Sequence, residues 1–332
     1  MRHTNQILSA LAVAVLVLAG CGLPRHPQAS AAGTVAYRFV AYGDFRPNDG
    51  SPTAAYPAGW QHTAAKMGTM PHAFDIVAGD EIQGLGGSDT LANDLAKYTH
   101  LLSSLGPDVK LPHVWVPGNH ENFGSANYRT AYEQKISAAH WRAFSYGSGT
   151  AAKPRVTVLA LSTEEPGLTN RLGYYGESDS RNSAQAKWLV DYLKAHAADA
   201  HTFLIAVFHR PLADPKKGEV SPDRARLENL FTKYGVDLVI NAHVHGYVRH
   251  MMPDGTPYLV DGNAGATLYD ETVYQHTTPG TDAKKVFHKY GFVRFNVRTD
   301  GTMAATAYAV NPSTWTWSVS DRFTVRQQRP IF

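Results

Sequence analysis

One pattern recurs along the sequence: a short apolar run that stops at polar or metal-binding side chains. Six runs, rich in β-branched and aromatic residues, read TVAYRFVAYGD, AFDIVAGDE, HVWVPGNHE, VTVLALST, TFLIAVFHRP and VDLVINAHVHG. Runs of this length and composition predict strands that are buried on both faces. Because such strands need other layers to cover both faces of their sheet, the pattern favours layered folds.

Two helical patterns lie between the later runs. SAQAKWLVDYLKAHAA begins at a serine, and RARLENLFTKYG ends with Gly235 at the position of a C-cap glycine. Alternating strands and helices predict an α/β fold. After His245 the runs GTPYLVDGNAG, YGFVRFNV and TMAATAYAV follow without a helix, so we expect antiparallel pairing there. No Pro/Gly/Ser-rich linker interrupts residues 34–332, which we interpret as one domain.

The N-terminus follows a different pattern. Residues 7–20 form an apolar run of about 14 residues, which is typical of a signal-peptide core and short for a membrane span. It ends in LAGC, which resembles the lipobox of bacterial lipoproteins. On this interpretation residues 1–20 are removed as a signal peptide, Cys21 is lipidated and anchors the protein to the bilayer, and residues 21–33 form a flexible tether. The alternative is an ordinary secretory signal with a chance cysteine.

Composition limits the partners and the cross-links. The 332 residues carry a formal net charge of +3, and basic and acidic residues are interspersed without a basic run. This balance gives no support to a nucleic-acid-binding surface. Cys21 is the one cysteine of the chain, so an intrachain disulfide is impossible. Nothing in the composition indicates the oligomeric state.

The ends of the predicted strands carry the groups from which a site can be built. Functional groups in α/β proteins collect beyond the carboxyl ends of strands. Oxygen and nitrogen donors without thiolates suit divalent Mn, Fe or Zn. The candidate side chains are Asp44, Asp80, Asn119, His120, His209, His243 and His245.

Five blocks containing these residues resemble a known family. GDFR, GDE, GNHE, FHRP and AHVH, in this order, resemble the blocks of the calcineurin-like metallophosphoesterases, and HVHGYVR is similar to the last block of the purple acid phosphatases. The resemblance implies a layered αββα sandwich with mixed sheets. It also implies hydrolysis of phosphate esters by two divalent metal ions and a metal-bound hydroxide.

The resemblance also assigns ligands position by position. His243 and His245 are two residues apart, which on an extended segment places their side chains on one face but about 6–7 Å apart, so we expect a turn to bring both to the cluster. On the family pattern Asp80 bridges the metals, Asp44 and His245 bind the first, and Asn119, His209 and His243 bind the second.

His120 resembles the family's catalytic histidine. It would stabilise the transition state or protonate the leaving oxygen. The neighbouring Glu121 is expected either to orient this imidazole or to be a solvated loop carboxylate.

The sequence departs from the family pattern at the first metal site. Arg46 stands where much of the family has histidine, and Gln83 stands where purple acid phosphatases have tyrosine. We expect the first metal to bind more weakly than the second, and Arg46 to act in catalysis by clamping the substrate phosphate or to pair with Asp44. The alternative is that Arg46 makes a structural ion pair with another carboxylate. Ala242 also replaces the glycine of the last block.

The resulting functional prediction is a metal-dependent phosphoesterase, extracytoplasmic and lipid-anchored to a bacterial membrane. Monoester and diester substrates both remain open. The alternative is a catalytically weak or inactive lipoprotein of the same fold that binds metal or phosphate. A serine hydrolase has little support because no Gly-x-Ser-x-Gly elbow occurs.

Overall fold

The computed structural model describes most of the chain after residue 32. The predicted signal peptide, Cys21 and the tether up to residue 32 lie outside the described residues. Within the described part of the chain, no helix is both long enough and apolar enough to cross a membrane. The described residues are 33–85, 89–121, 123, 125–168, 171–216, 218–270, 283–328 and 330.

The first sheet combines N-terminal and C-terminal segments. Its strands are β1 (Val35–Tyr42), β2 (Asp75–Val77), β3 (His113–Trp115), β11 (Tyr290–Arg298), β12 (Thr302–Val310) and β13 (Trp317–Arg326). Their order is β13-β12-β11-β1-β2-β3. The three N-terminal strands β1, β2 and β3 run parallel, so their carboxyl ends lie at the same edge.

The second sheet is formed by the middle of the chain. Its strands are β4 (Arg142–Tyr146), β5 (Arg155–Ala160), β6 (Thr202–Val207), β7 (Leu238–Asn241), β8 (Tyr247–Met251), β9 (Pro257–Asp261) and β10 (Ala283–Phe287). Their order is β10-β8-β9-β7-β6-β5-β4. Strands β5, β6, β7 and β9 run parallel.

Helices cover the outer face of each sheet. Helices α1 (Ala58–Gly68), α2 (Leu91–Ser104) and α3 (Ala126–Lys135) contribute buried apolar side chains to a cluster with β1, β2 and β3. Helices α4 (Ala184–His196) and α5 (Arg224–Tyr234) do the same with β5, β6 and β7. The two predicted helix termini agree with the structure: Ser183 Oγ accepts from the amide of Ala186, and Gly235 closes α5 with φ +66°.

The two sheets pack face to face. Phe39 and Ile76 of the first sheet belong to the same fully buried cluster as Ile205 and Ile240 of the second. Apolar side chains on the other faces of these strands meet the helices. The order of layers is therefore helix, sheet, sheet, helix, which confirms the predicted α/β fold and the αββα sandwich with mixed sheets.

The expected pairing after His245 is correct only in part. Strands β11 and β12 pair antiparallel as predicted. Strand β9, however, lies between β8 and β7, and it pairs antiparallel with β8 but parallel with β7. The chain reverses between β8 and β9 and inserts β9 beside β7, an arrangement that the local pattern of a hairpin does not reveal.

A buried ionic cluster lies at the start of β2 and β3, the end opposite the carboxyl ends of these strands. Nε2 of His72 lies 2.8 Å from Oδ1 of Asp75, and Nε2 of His113 lies 3.0 Å from Oδ2. Tyr42 donates its hydroxyl to Oδ2 as well. Burial alone would raise the pKa of Asp75, but the two imidazoles hold it below its ordinary value. Nearby Asp108 faces the same cluster.

We expect His72→Gln to lower the free energy of unfolding at about pH 5.5 by about 1–3 kcal/mol. Burial lowers the pKa of His72, but its contact with Asp75 outweighs burial and raises the pKa above 6.5. Stabilisation by this contact is complete below the unfolded pKa and is lost as the pH rises through the folded pKa. The decrease in the free energy of unfolding should therefore be smaller at about pH 8.5, as measured by urea denaturation.

The control for this prediction is His196→Gln, because the side chain of His196 is 44% exposed beside Asp199. This variant should change stability little at either pH. An equal loss for His72→Gln at both pH values would contradict a contribution from the charged imidazole.

Candidate metal centre

Polar side chains from both sheets meet where the parallel strands end. Asp44 follows β1, Asp80 follows β2, and His209 follows β6. One potential ligand atom from each of these three residues lies within 4.8 Å of the other two, and all three residues are buried. The sandwich therefore brings together donors that are far apart in sequence.

Three of the predicted ligands have a left-handed backbone. Asp44, Asp80 and His243 have φ values of +54°, +59° and +69°. This conformation is uncommon for residues other than glycine and is costly unless the surroundings impose it. At His243 it provides the turn that the sequence required before His245. Of the five described residues other than glycine that have a positive φ, three are therefore predicted ligands.

Asp44 and His245 form one half of the site. The backbone amide of His243 donates to Oδ2 of Asp44 at 2.6 Å. Oδ1 of Asp44 lies 3.3 Å from Nε2 of His245. Nδ1 of His245 lies 2.6 Å from the carbonyl oxygen of Thr267 and must donate to it, which leaves Nε2 able to bind a metal.

Asn119 and His209 form the other half with Asp80. Nδ1 of His209 lies 2.9 Å from the carbonyl oxygen of Ala78. Its Nε2 lies 3.1 Å from Oδ1 of Asn119 and 3.3 Å from Oδ1 of Asp80. The ring of His243 lies 5.1 Å from that of His209, between centroids. The described structure therefore brings all six predicted ligands to one edge of the sandwich.

The chemistry of these donors fits divalent cations. Burial raises the pKa of Asp80 well above its ordinary value, and the carboxylates of Asp44 and Glu121 raise it further. Burial also lowers the pKa of His209 well below its usual range and that of His243 to about 2. Among the described residues, no hydrogen-bond donor reaches Oδ1 of Asp44. A metal ion would stabilise this cluster, because it would offset the repulsion between the carboxylates and bind the neutral imidazoles.

His120 lies at the open side of this cluster. Its side chain is 29% exposed, and its Nε2 lies 3.9 Å from Oδ2 of Asp80. Its backbone amide donates to Oδ1 of the same carboxylate at 2.9 Å. Burial and then the guanidinium of Arg46 lower the pKa of His120 to about 4. The imidazole is therefore held beside Asp80, near the position predicted for the metals.

Arg46 and Gln83, the two departures from the family pattern, contact each other. Nη1 of Arg46 donates to Oε1 of Gln83 at 2.6 Å. The carboxylate with which Arg46 forms an ion pair is that of Asp80, at 3.8 Å from Nε, rather than that of Asp44. The expected pair with Asp44 is thus not formed, and the structure shows the alternative, an ion pair with another carboxylate, here that of the predicted bridging residue. Arg46 remains 15% exposed at the mouth of the site.

A second arginine, Arg210, lies in the site and is not among the residues predicted from the sequence. Nη1 of Arg210 lies 3.2 Å from Nε2 of His243. Glu164 holds the guanidinium by contacts of 2.7 Å to Nε and 3.4 Å to Nη2. Arg210 directly follows His209 in the FHRP block, which was the available signal, but the acidic partner after β5 cannot be assigned from local sequence.

Glu121 takes neither of its two expected roles. It is fully buried, and it accepts hydrogen bonds from backbone amides rather than from the imidazole of His120. Oε2 accepts from the amides of Gly118 and of Asp80, and Oε1 from the amides of residues 81 and 82. Because these amides belong to the second and third blocks and to the residue directly after the second, Glu121 joins the loops that carry Asp80 and Asn119.

Replacing Glu121 by glutamine should destabilise the fold by about 2–3 kcal/mol, because an amide NH₂ would face backbone N–H groups that need an acceptor. Denaturant titration provides the measurement. Glu133→Gln is the control, since the side chain of Glu133 is 41% exposed. Equal stability of Glu121→Gln and the wild type would show that these contacts do not hold the two loops.

Comparisons with known proteins agree with this architecture. The chain is 19% identical to purple acid phosphatase PPD1 of yellow lupin (Lupinus luteus), with a TM-score of 0.63, and the match covers 90% of this chain but only 54% of that one. It is 14% identical to GAP50 of Plasmodium, described as the anchor in the inner membrane complex, with a TM-score of 0.63 over 89% of this chain and 90% of that one. PhoD is also 14% identical to this chain, with a TM-score of 0.59, and the match covers 90% of this chain and 71% of that one. At these identities the likeness concerns the fold alone.

A search of curated proteins finds no match. The family model for the calcineurin-like phosphoesterases matches residues 53–247, more than half of the chain. The matched region contains Asp80, Asn119 and the later ligands, whereas Asp44 and Arg46 precede it. With the αββα sandwich, this match shows that the chain belongs to the calcineurin-like phosphoesterase family.

Proposed function

We propose that this protein hydrolyses phosphate esters at a dinuclear metal centre. The observation that supports this proposal best is the meeting of two buried carboxylates and a buried imidazole at the strand ends, with the amide of Asn119 beside the imidazole. Two bound divalent cations would activate a water molecule and offset negative charge on phosphate oxygens. The proposed ligands are Asp44, Asp80, Asn119, His209, His243 and His245, with Asp80 shared by both cations.

The exposed side of the proposed centre carries three groups that can act on a phosphate ester. His120 can donate a hydrogen bond to the leaving oxygen or stabilise the transition state. Arg46 and Arg210, with side chains 15% and 20% exposed, present guanidinium donors that suit phosphate oxygens. Because Glu164 holds Nε and Nη2 of Arg210, the Nη1 edge is directed towards His243.

Turnover should depend on added metal and on His120. After chelation, hydrolysis of p-nitrophenyl phosphate or its bis-ester should return with Mn, Fe or Zn. His120→Asn should lower kcat by about 10²- to 10⁴-fold with unchanged metal content, since it removes a group that acts on the reacting atoms. His196→Gln is the control. Hydrolysis that is insensitive to the chelator would contradict the proposal.

A second candidate function is metal or phosphate binding without catalysis. It is favoured by one observation: Arg46 and Gln83 bind each other where other family members have metal ligands. Metal bound to the protein, with no turnover of either ester, would support this alternative. The two esters also distinguish monoester from diester hydrolysis.

We further propose that the mature protein is a lipoprotein anchored outside the cytoplasmic membrane of a bacterium through Cys21. The support is the apolar segment at residues 7–20, whose last three residues form the LAGC motif with Cys21. Expressed in a bacterial host, the wild type should pellet with membranes, and mass spectrometry should find an acylated N-terminal Cys21. Cys21→Ser should abolish this modification. Cleavage elsewhere with an unmodified Cys21 would instead indicate an ordinary secretory signal.

A further inference from the structure

An aromatic residue outside the family blocks packs on a proposed metal ligand. The rings of Tyr269 and His245 are stacked, with 4.4 Å between centroids and 4° between planes. The backbone amide of Tyr269 also donates to the carbonyl oxygen of His245 at 3.2 Å. Together with the contact between Nδ1 of His245 and Thr267, this stacking fixes the plane of the imidazole from one face and one edge.

A lysine lies on the opposite face of the same tyrosine. Nζ of Lys216 lies 3.3 Å from the centroid of the Tyr269 ring. Since the two rings are 4.4 Å apart, an ammonium group has no room between them and must lie on the far face. Its contact is a cation–π interaction that holds the tyrosine ring in place. Imidazole, phenol and ammonium thus form a stack, His245–Tyr269–Lys216.

The segment that carries Tyr269 also holds the other ligand of the first metal. The amides of Gly265 and Ala266 donate to the carbonyl oxygen of Asp44 at 3.1 and 2.7 Å. The first metal's own ligands, Asp44 and His245, therefore both depend on residues 265–269. His209, a ligand proposed for the second metal, is held by Ala78 instead.

We propose that Tyr269 is a positioning residue for the first metal, and that Lys216 secures it. This inference rests on the proposed dinuclear centre. Arg46 and Gln83 supply no strong ligand to the first metal, so its affinity depends strongly on the orientation of the few donors that remain. Removing the stack should weaken the first site and leave the second nearly unchanged.

The test is a metal titration that does not depend on turnover. The full chain, stripped with chelator, is titrated with Mn²⁺ by calorimetry, and His245→Ala identifies which binding step belongs to the first site. Tyr269→Leu should weaken that step by about 10- to 100-fold and change the other by less than about threefold. Tyr269→Phe keeps the ring and should restore the affinity to within about threefold.

Lys216→Met should weaken the same step by a smaller factor, about three- to tenfold, because the ring keeps its contact with His245. The matched controls come from a second lysine–tyrosine pair, Lys153 over Tyr146, at the connection between β4 and β5. Lys153→Met and Tyr146→Leu should change neither binding step.

The outcomes separate this inference from the proposed function. Two metal equivalents with unchanged affinities in Tyr269→Leu would overturn the role of Tyr269 and leave the dinuclear centre intact. Equal weakening of both steps in Tyr269→Leu would also overturn it, since the effect would then be general. Binding of a single equivalent that is insensitive to His245→Ala would overturn both the dinuclear centre and the inference.

Discussion

The carboxylates of Asp44 and Asp80 lie buried in one small cluster, and the organisation of the site depends on offsetting their repulsion. Burying an uncompensated carboxylate is costly, so each requires donors or a cation. Backbone amides provide part of the compensation: that of His243 donates to Asp44, and that of His120 donates to Asp80. Divalent metal ions, as we propose, would provide the remainder.

Three residues of this cluster, Asp44, Asp80 and His243, have left-handed backbone conformations. Such conformations are costly and persist only where neighbouring contacts impose them. Glu121 is one such contact, because its four accepted hydrogen bonds join the loops of the second and third blocks. A residue next to the proposed catalytic histidine thus has a supporting role.

The two halves of the centre have different supports. Residues 265–269 contact Asp44 and His245, whereas His209 is completely buried and donates to the carbonyl of Ala78. At the exposed side, Arg46 contacts Gln83 and Asp80, while Arg210 contacts Glu164 and His243. This asymmetry would give a physical basis to the unequal metal affinities that we expect from the departures from the family pattern at the first site.

Local sequence was sufficient to predict the layered α/β fold and to select the side chains at the strand ends, because burial pattern and strand termination are local properties. It did not reveal that β9 lies parallel to β7, that Arg46 contacts Gln83, that Glu164 holds Arg210, or that Tyr269 stacks on His245. Each of these contacts joins segments whose proximity is created only when the two sheets pack. The sequence therefore identifies the candidate metal-binding side chains. The tertiary structure decides the distances between them, their backbone strain and the residues that support them.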